Sequence, residues 1–374
     1  MLMKIPTSYL RMTAIAVLAA GLIGCGGGGS GGPDIPTASN AAITPPPTTA
    51  VAITTGSQAT NTTIASAAFQ ALDSVGSQTI GNASGPLLAF GVDTKPAAAE
   101  TTRLTIGEIL LRHAEKIKNH ESSALATGAQ IVQTIPCFAG GTQTFVFDDM
   151  NVNGNASEIF VNCDDGGGVT HGTISSTGVS ATLNLGATFG SPYSISVGAT
   201  TTIDLSITTT NPASVLVTQG SFTFSASFSG TMTSDGAGGV VPDFPTDFTT
   251  HIIGPSLLMS DGVHSEQLSN FDLTVVGGSS GTTVTGHFTS ANSASVINGA
   301  VTVTITTPVH YASFALHPDA GVIEITTTAS LGKIKVTFSS STTTPVTVDV
   351  YANAADASAT NTYTLTWDQF EALI

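Results

Sequence analysis

The sequence predicts an all-β protein, a large antiparallel curved meander or half-open barrel with a small N-terminal helical segment. Three observations carry that expectation. From about Ile131 onward, apolar and polar residues alternate with period two, the mark of strands packed on one face and wetted on the other. Only 9% of residues are charged, so Ser, Thr, Gly and Asn supply the polarity, and Thr and Val suit pleated surfaces. Clusters of Gly, Asn, Asp and Pro interrupt the alternation without a fixed repeat, which weighs against a propeller or solenoid. A two-sheet β-sandwich is the alternative architecture.

The chain begins with a segment that belongs to targeting rather than to the fold. Lys4 and Arg11 precede an apolar run from Met12 to Ile23, too short to span a bilayer and of the length of a secretory h-region. It closes on Leu22-Ile23-Gly24-Cys25 and opens onto Gly26 to Gly29. This stretch resembles the lipobox of a bacterial lipoprotein, in which the cysteine thiol receives diacylglycerol and becomes the first mature residue. The resemblance implies a signal peptide over 1–24, lipidation of Cys25, and a membrane partner held through the lipid. Each buried methylene adds about 0.8 kcal/mol of membrane affinity. Gly26, rather than Asp, resembles the enterobacterial pattern that directs lipoproteins to the outer membrane.

Residues 25–62 are Gly-rich and then Pro- and Thr-rich, with Pro45-Pro46-Pro47 at their centre. They predict a disordered tether of roughly 30–35 Å r.m.s. reach. Residues 63–130 predict a small helical segment packed on the sheet. Ile64, Ala68, Ala71, Leu72 and Val75 recur at helical spacing, and Leu104, Ile106, Ile109, Leu110, His113 and Ile117 form one face of a second helix.

Residues 131–374 then read as an antiparallel β domain of about 12 to 16 strands. Phe145 to Phe147 and Ile159 to Val161 flank a turn-like Asp148 to Gly154. Phe222, Phe224, Ala226 and Phe228 alternate with Ser and Thr, as do Val301, Val303 and Ile305. Ile334, Val336 and Phe338 follow, then Val346, Val348 and Val350, with turns at 236–245, 277–281 and 352–359. Cys137 and Cys163 remain after Cys25 and in an exported chain form a disulfide. Closing the base of that hairpin contributes roughly 3.5 kcal/mol in the chain-entropy view. The cysteine and glycine pair, the acidic hairpin tip, Asn162-Cys163, Gly172-Thr173-Ile174, and the stretch from Gly321 to Trp367 resemble uncharacterised proteobacterial lipoproteins with a Gly-rich linker. That group supplies no function to carry over.

Charge and motifs exclude more than they assign. Nine Lys and Arg stand against 25 Asp and Glu, a net charge of −16, which repels nucleic acid. No Lys or Arg occurs from Asn119 to Gly332, so a basic phosphate clamp is absent from that stretch. Asp149, Asn151 and Asn153, with Glu158 two places short of the twelfth position, begin like a calcium loop, and read more simply as a polar hairpin turn. Gly277-Gly278-Ser279-Ser280-Gly281 matches the nucleophile-elbow string but lies between two strands, where that chemistry needs a following helix. His171, His251, His264, His287, His310 and His317 are scattered, without metal-site spacing. Trp367 reads as core against Leu365 and Phe370. No catalytic residue, metal or cofactor is therefore assigned, calcium being the one weak candidate. The expectation is a non-enzymatic, lipid-anchored outer-membrane protein whose curved sheet binds an apolar ligand or an envelope partner protein. A structural or adhesive surface lipoprotein is the alternative, and a hydrolase assembled from distant residues the minor one.

Overall fold

A computed structural model describes residues 35–76, 131–147 and 154–373, apart from short gaps at 165, 167, 185–187, 189, 211–212, 235–239, 243–246, 279, 294–297, 314 and 316. Residues 35 to 374 form one compact unit. Cys25, the signal peptide, the second expected helix, and Asp149, Asn151 and Asn153 lie outside the described residues.

Helix α1 (Gln58–Gly76) is followed by β1 (Ile131–Pro136), β2 (Gly140–Phe147), β3 (Gly154–Asp164), β4 (Val169–Asn184), β5 (Pro192–Thr210) and β6 (Ala213–Ser234). Then come β7 (Val240–Pro242), β8 (Asp247–Ser260), β9 (Ser265–Gly278), β10 (Gly281–Asn292) and β11 (Gly299–Ala312). The chain closes with β12 (Ala320–Thr326), β13 (Lys333–Ser339), β14 (Val346–Tyr351), β15 (Asn361–Leu365) and α2 (Trp367–Glu371). All fifteen strands belong to one antiparallel sheet in sequence order, with β7 pairing only β6. Strands β1 and β15 stand at its two ends and do not pair with each other, so the curved meander stays open.

The alternation sorts the two faces. Ile174, Ile203, Phe222, Leu257, Leu273, Val303, Ile323, Val336 and Val348 all point to one continuous apolar core that runs across the sheet. Against it lies α1, in contact with β10, β11, β13, β14 and α2. Ser57 caps the helix, its hydroxyl accepting from the Thr60 amide at 3.3 Å. Ile64, Ala65, Ala68, Phe69, Ala71 and Leu72 are buried, and so are Asn61, Thr62, Thr63 and Ser66. A helix covered on nearly all sides is an interior element rather than a surface one. Its polar side chains are satisfied locally, as where Thr62 and Thr63 donate to the Gln58 and Ala59 carbonyls at 2.8 Å each.

Residues 35–62 correct the expectation of a disordered tether. Ala38 packs with Val146 and Ile159 on the outward face, and Thr173 donates to its carbonyl at 2.8 Å. Asn40 binds Asp204 through its backbone amide (3.0 Å) and its side chain (3.1 Å), and the Ile43 amide donates to Gln219 at 3.0 Å. Further on, Ala50 bridges Ala300, and Ile53 is buried in the core. Low complexity misled because a strap needs few apolar residues when its backbone is hydrogen-bonded to a preformed sheet. Helix α1 accordingly begins at Gln58, five residues before the expected start at Thr63.

Cys137 and Cys163 are disulfide-bonded, with their Cα atoms 5.4 Å apart. The bridge ties the β1–β2 turn to the end of β3, at the base of the β2–β3 hairpin, as expected. There Gly141 adopts φ +73°, and a Cβ on it would stand 1.9 Å from the Asn162 carbonyl oxygen. Only glycine fits.

Candidate outward-face site

Three neighbouring strands build the most developed polar constellation among the described residues. On β8, Thr250 and Ile252 are buried, which turns His251 outward. On β9, buried Phe271 and Leu273 do the same for Asp272, and on β6 Phe224 and Ala226 do it for Ser225. Register then brings them together. Ser225 is the cross-strand partner of His251, and His251 Nε2 stands 2.8 Å from Asp272 Oδ1. Both side chains of the His251–Asp272 pair are about two-fifths exposed (41% and 42%), so it works in a wet environment where such pairs contribute little to stability.

Beside His251 an open cleft of about 310 Å³ runs over Ser227, Ser196, Thr182 and Ser180. Gly198 makes the depression. It pairs with Ser180 on one side and Ser225 on the other, and carries no side chain to fill the gap between them. On the far side of Asp272, the partner residue on β10 is His287. The preceding Gly286 (φ +124°) lets the two backbones approach, since a Cβ there would lie 1.9 Å from the Asp272 carbonyl oxygen. The same transverse row continues through Thr304, Glu324, Lys335, Asp349 and Thr362, each the register partner of the last. Glu324 is bound by Lys333 at 3.1 Å, and Thr362 donates to Asp349 at 2.6 Å. Lys333 and Lys335 are the only Lys or Arg among the described residues.

This arrangement can recognise neutral polar groups and hydrogen-bond donors. It is poorly equipped for acyl transfer. No hydrogen bond joins Ser225 to His251, and the backbone amides of a continuous sheet are engaged in its ladders, leaving no evident pair of donors for an oxyanion. Apart from His287, opposite Asp272, the other histidines do not converge on it. His310 pairs with Asp319 at 2.6 Å, His264 with Asp261 at 3.5 Å, and His317 with Glu371 at 3.2 Å. His171 Nδ1 is buried without a partner. Among the described residues no group of three or more His, Cys, Asp or Glu is placed to hold a metal ion.

The remaining sequence candidates have structural roles. Glu158 is not a loop ligand. It sits in mid-β3, fully buried between its cross-strand neighbours Phe145 and Ile174, and accepts a hydrogen bond from Gln143. Parity explains this, because Ala156, Glu158 and Phe160 point to one face, whereas the turn that would hold calcium ends at Gly154. The Gly277-to-Gly281 string is the β9–β10 hairpin, with Gly277 under the Phe248 ring. Trp367 packs against Phe69 (5.4 Å) and Phe338 (5.9 Å), and His317 stacks on it at 4.4 Å.

Ser225 and Asp272 escaped sequence reasoning, although their outward parity is readable from the alternation. What is not readable is register, which alone makes Ser225, His251 and Asp272 neighbours. Compared with protein-family models, curated proteins and solved structures, the chain matches none.

Proposed function

We propose that this protein is a membrane-anchored, non-enzymatic lipoprotein of the cell envelope that binds a partner protein across the outward face of its sheet. The anchor rests on the lipobox-like Leu22 to Cys25. The binding mode rests on the position of α1. A carrier of apolar ligands needs its concave face empty, and here Ile64, Phe69 and Leu72 lie buried against that face. The outward face is left to make contacts. Its central strands carry Ser, Thr and Gly almost throughout, with hydroxyl pairs such as Thr200–Thr223 at 3.2 Å, and two lysines are its only Lys or Arg among the described residues. Such a surface suits a neutral or basic protein partner held by hydrogen bonds.

Photo-crosslinking in intact envelopes tests this. A benzoylphenylalanine at Thr223 or Ser227 is expected to give a discrete heavier adduct, and one at Thr343, in the β13–β14 turn, none. Absence of any adduct from the outward positions defeats the reading. Cys25→Ser is expected to release the protein from the membrane fraction.

Ser225, in register with His251, and Asp272, bonded to His251 across the diagonal, favour a second reading, hydrolysis with Ser225 as nucleophile. A fluorophosphonate probe decides it. Labelling of Ser225 that His251→Ala abolishes supports hydrolysis, and an unlabelled protein removes it.

A further inference from the structure

We infer that one rim of the sheet is a membrane-contact surface, where turns carrying Phe138, Val263 and Leu331 dip into the lipid interface. The inference rests on the lipid anchor at Cys25 proposed above. These three are the most exposed large apolar side chains among the described residues, at 91%, 81% and 75%. Single exposed apolar residues are ordinary. Their placement is not. Every adjacent pair along the main strand order is antiparallel, so alternate turns fall at the same end of the sheet. Phe138 lies in the β1–β2 turn, Val263 in the β8–β9 turn and Leu331 in the β12–β13 turn, all at the end where β1 finishes. Ile135 and Val215, also exposed, flank this same rim. Among the described residues, Val276 is the one such residue near the opposite rim.

The spacing points to lipid rather than protein. Six strands separate the first two turns and four more the third, or about 29 and 19 Å along the sheet. Apolar tips so far apart form no contiguous patch for a protein hot spot. A fluid interface takes up each tip independently and needs no shape match. Charge selects the kind of lipid. Asp164 and Asp261 border these turns, and the one cation there among the described residues, Lys333, is bound to Glu324 at 3.1 Å, so the rim suits a zwitterionic surface rather than an anionic one.

Chain length brings the rim within reach. Nine residues, Gly26 to Asp34, separate Cys25 from Ile35, a span of at most about 35 Å. The strap then meets the sheet at Thr173, which binds the Ala38 carbonyl. Thr173 is four residues from the β4 end at this rim and eleven from the other, or about 13 against 36 Å. Ile35 itself shares a cleft with Val146 and Ser157, six residues or about 20 Å from the β2 end at this rim, a distance that the linker spans.

An environment-sensitive nitrobenzoxadiazole label tests the contact in the full-length lipoprotein reconstituted into phosphatidylcholine vesicles. With Cys137 and Cys163 bonded to each other and Cys25 acylated, one introduced cysteine is the only free thiol. Labels at Val263→Cys and Leu331→Cys are expected to shift to the blue and brighten at least twofold on vesicles. A label at Thr343→Cys, exposed at the opposite rim, is expected to stay water-like. Flotation of the vesicles reads the anchor separately. Protein that floats with water-like labels at 263 and 331 keeps the anchor and overturns the contact. Protein that does not float overturns both. A blue shift that appears without vesicles means self-association, and it overturns the lipid occupant.

Discussion

The Ser66 hydroxyl donates a 2.7 Å hydrogen bond to the backbone carbonyl of Phe370, joining α1 to α2 across 304 positions of sequence. Both partners are buried. The bond answers a need of each element, because a short C-terminal helix leaves carbonyls unpaired and a buried serine must find an acceptor. Around it the Phe69 ring lies tilted at 5.1 to 5.7 Å from Phe338, Trp367 and Phe370. The C-terminal residues therefore act as a lock on the interior helix.

Phe370→Ala tests the lock. The side chain is fully buried, and its truncation leaves a cavity beside Phe69 and removes ring contacts, a loss of about 3–5 kcal/mol. Urea denaturation followed through Trp367 fluorescence is expected to show a lower midpoint and an unfolding free energy smaller by that amount. Ser66→Ala, which leaves a carbonyl unpaired, is expected to cost about 1–3 kcal/mol. If Phe370→Ala costs no more than a surface substitution, the C-terminal helix is not part of the cooperative fold.

The fold class was written in the alternation, because period-two patterning reports directly which residues face the core. Phe222 with Phe224, and Val346 to Val350, fall where it placed them. The disulfide was readable as well, from cysteine number and the expected export. The strap was not, since Ala38, Asn40 and Ile43 are held chiefly by backbone and amide groups that composition does not reveal. Glu158 misled for a different reason. Spacing from Asp149 suggested a ligand, while its parity in β3 aimed it at the core. The Ser225, His251 and Asp272 alignment depends on register across three strands, a long-range property that local sequence does not encode.

Removal of the Cys137–Cys163 bridge is expected to lower stability by about 2–4 kcal/mol, because the 26-residue separation is no longer closed in the unfolded chain. For a unit this large the melting temperature falls by only several degrees. Cys137→Ser with Cys163→Ser is the comparison, read by calorimetry. Thiol titration of the denatured, unreduced protein is expected to find no free thiol at either position.

Asn40 holds the strap by three side-chain contacts, to the Asp204 carboxylate at 3.1 Å, the Asp204 carbonyl at 3.2 Å and the His171 carbonyl at 3.2 Å. Asn40→Ala removes all three and leaves Asp204 with Gln219 and the residue-40 backbone amide, each at 3.0 Å. The loss is expected to open residues 35–50 locally, with the sheet intact. A broad-specificity protease such as subtilisin then cuts within that segment several-fold faster than in the parent, while the core resists. Equal rates would show that the strap is held by other contacts.

Stability is expected to fall between about pH 4.5 and 7 because of Glu266. It stands on β9 opposite Met259 and Asn292, and accepts from the Ser290 hydroxyl at 3.3 Å. Burial of the carboxyl pushes its pKa up from 4.5 to about 7, against a small lowering by Ser290. Below 4.5 the group is protonated in both states and costs nothing. As pH rises to 7 the unfolded chain releases this proton while the folded chain keeps it, so stability declines, and above 7 the loss is complete. The residue as a whole is only half-buried, which keeps the effect to roughly 2–3 kcal/mol. Asp261 works in the opposite direction at lower pH. Burial alone would raise its pKa, but the amides of His264 and Val263 donate to it at 2.6 and 2.8 Å and hold it below 3.8. Its contribution is lost as pH falls through that acid range. Urea midpoints at pH 4.5 and 7.5 separate the two groups. Glu266→Gln is expected to raise the midpoint at pH 7.5 and to leave it nearly unchanged at 4.5. An equal change at both pH values would mean that the carboxyl at 266 has the same pKa in the folded and unfolded chain.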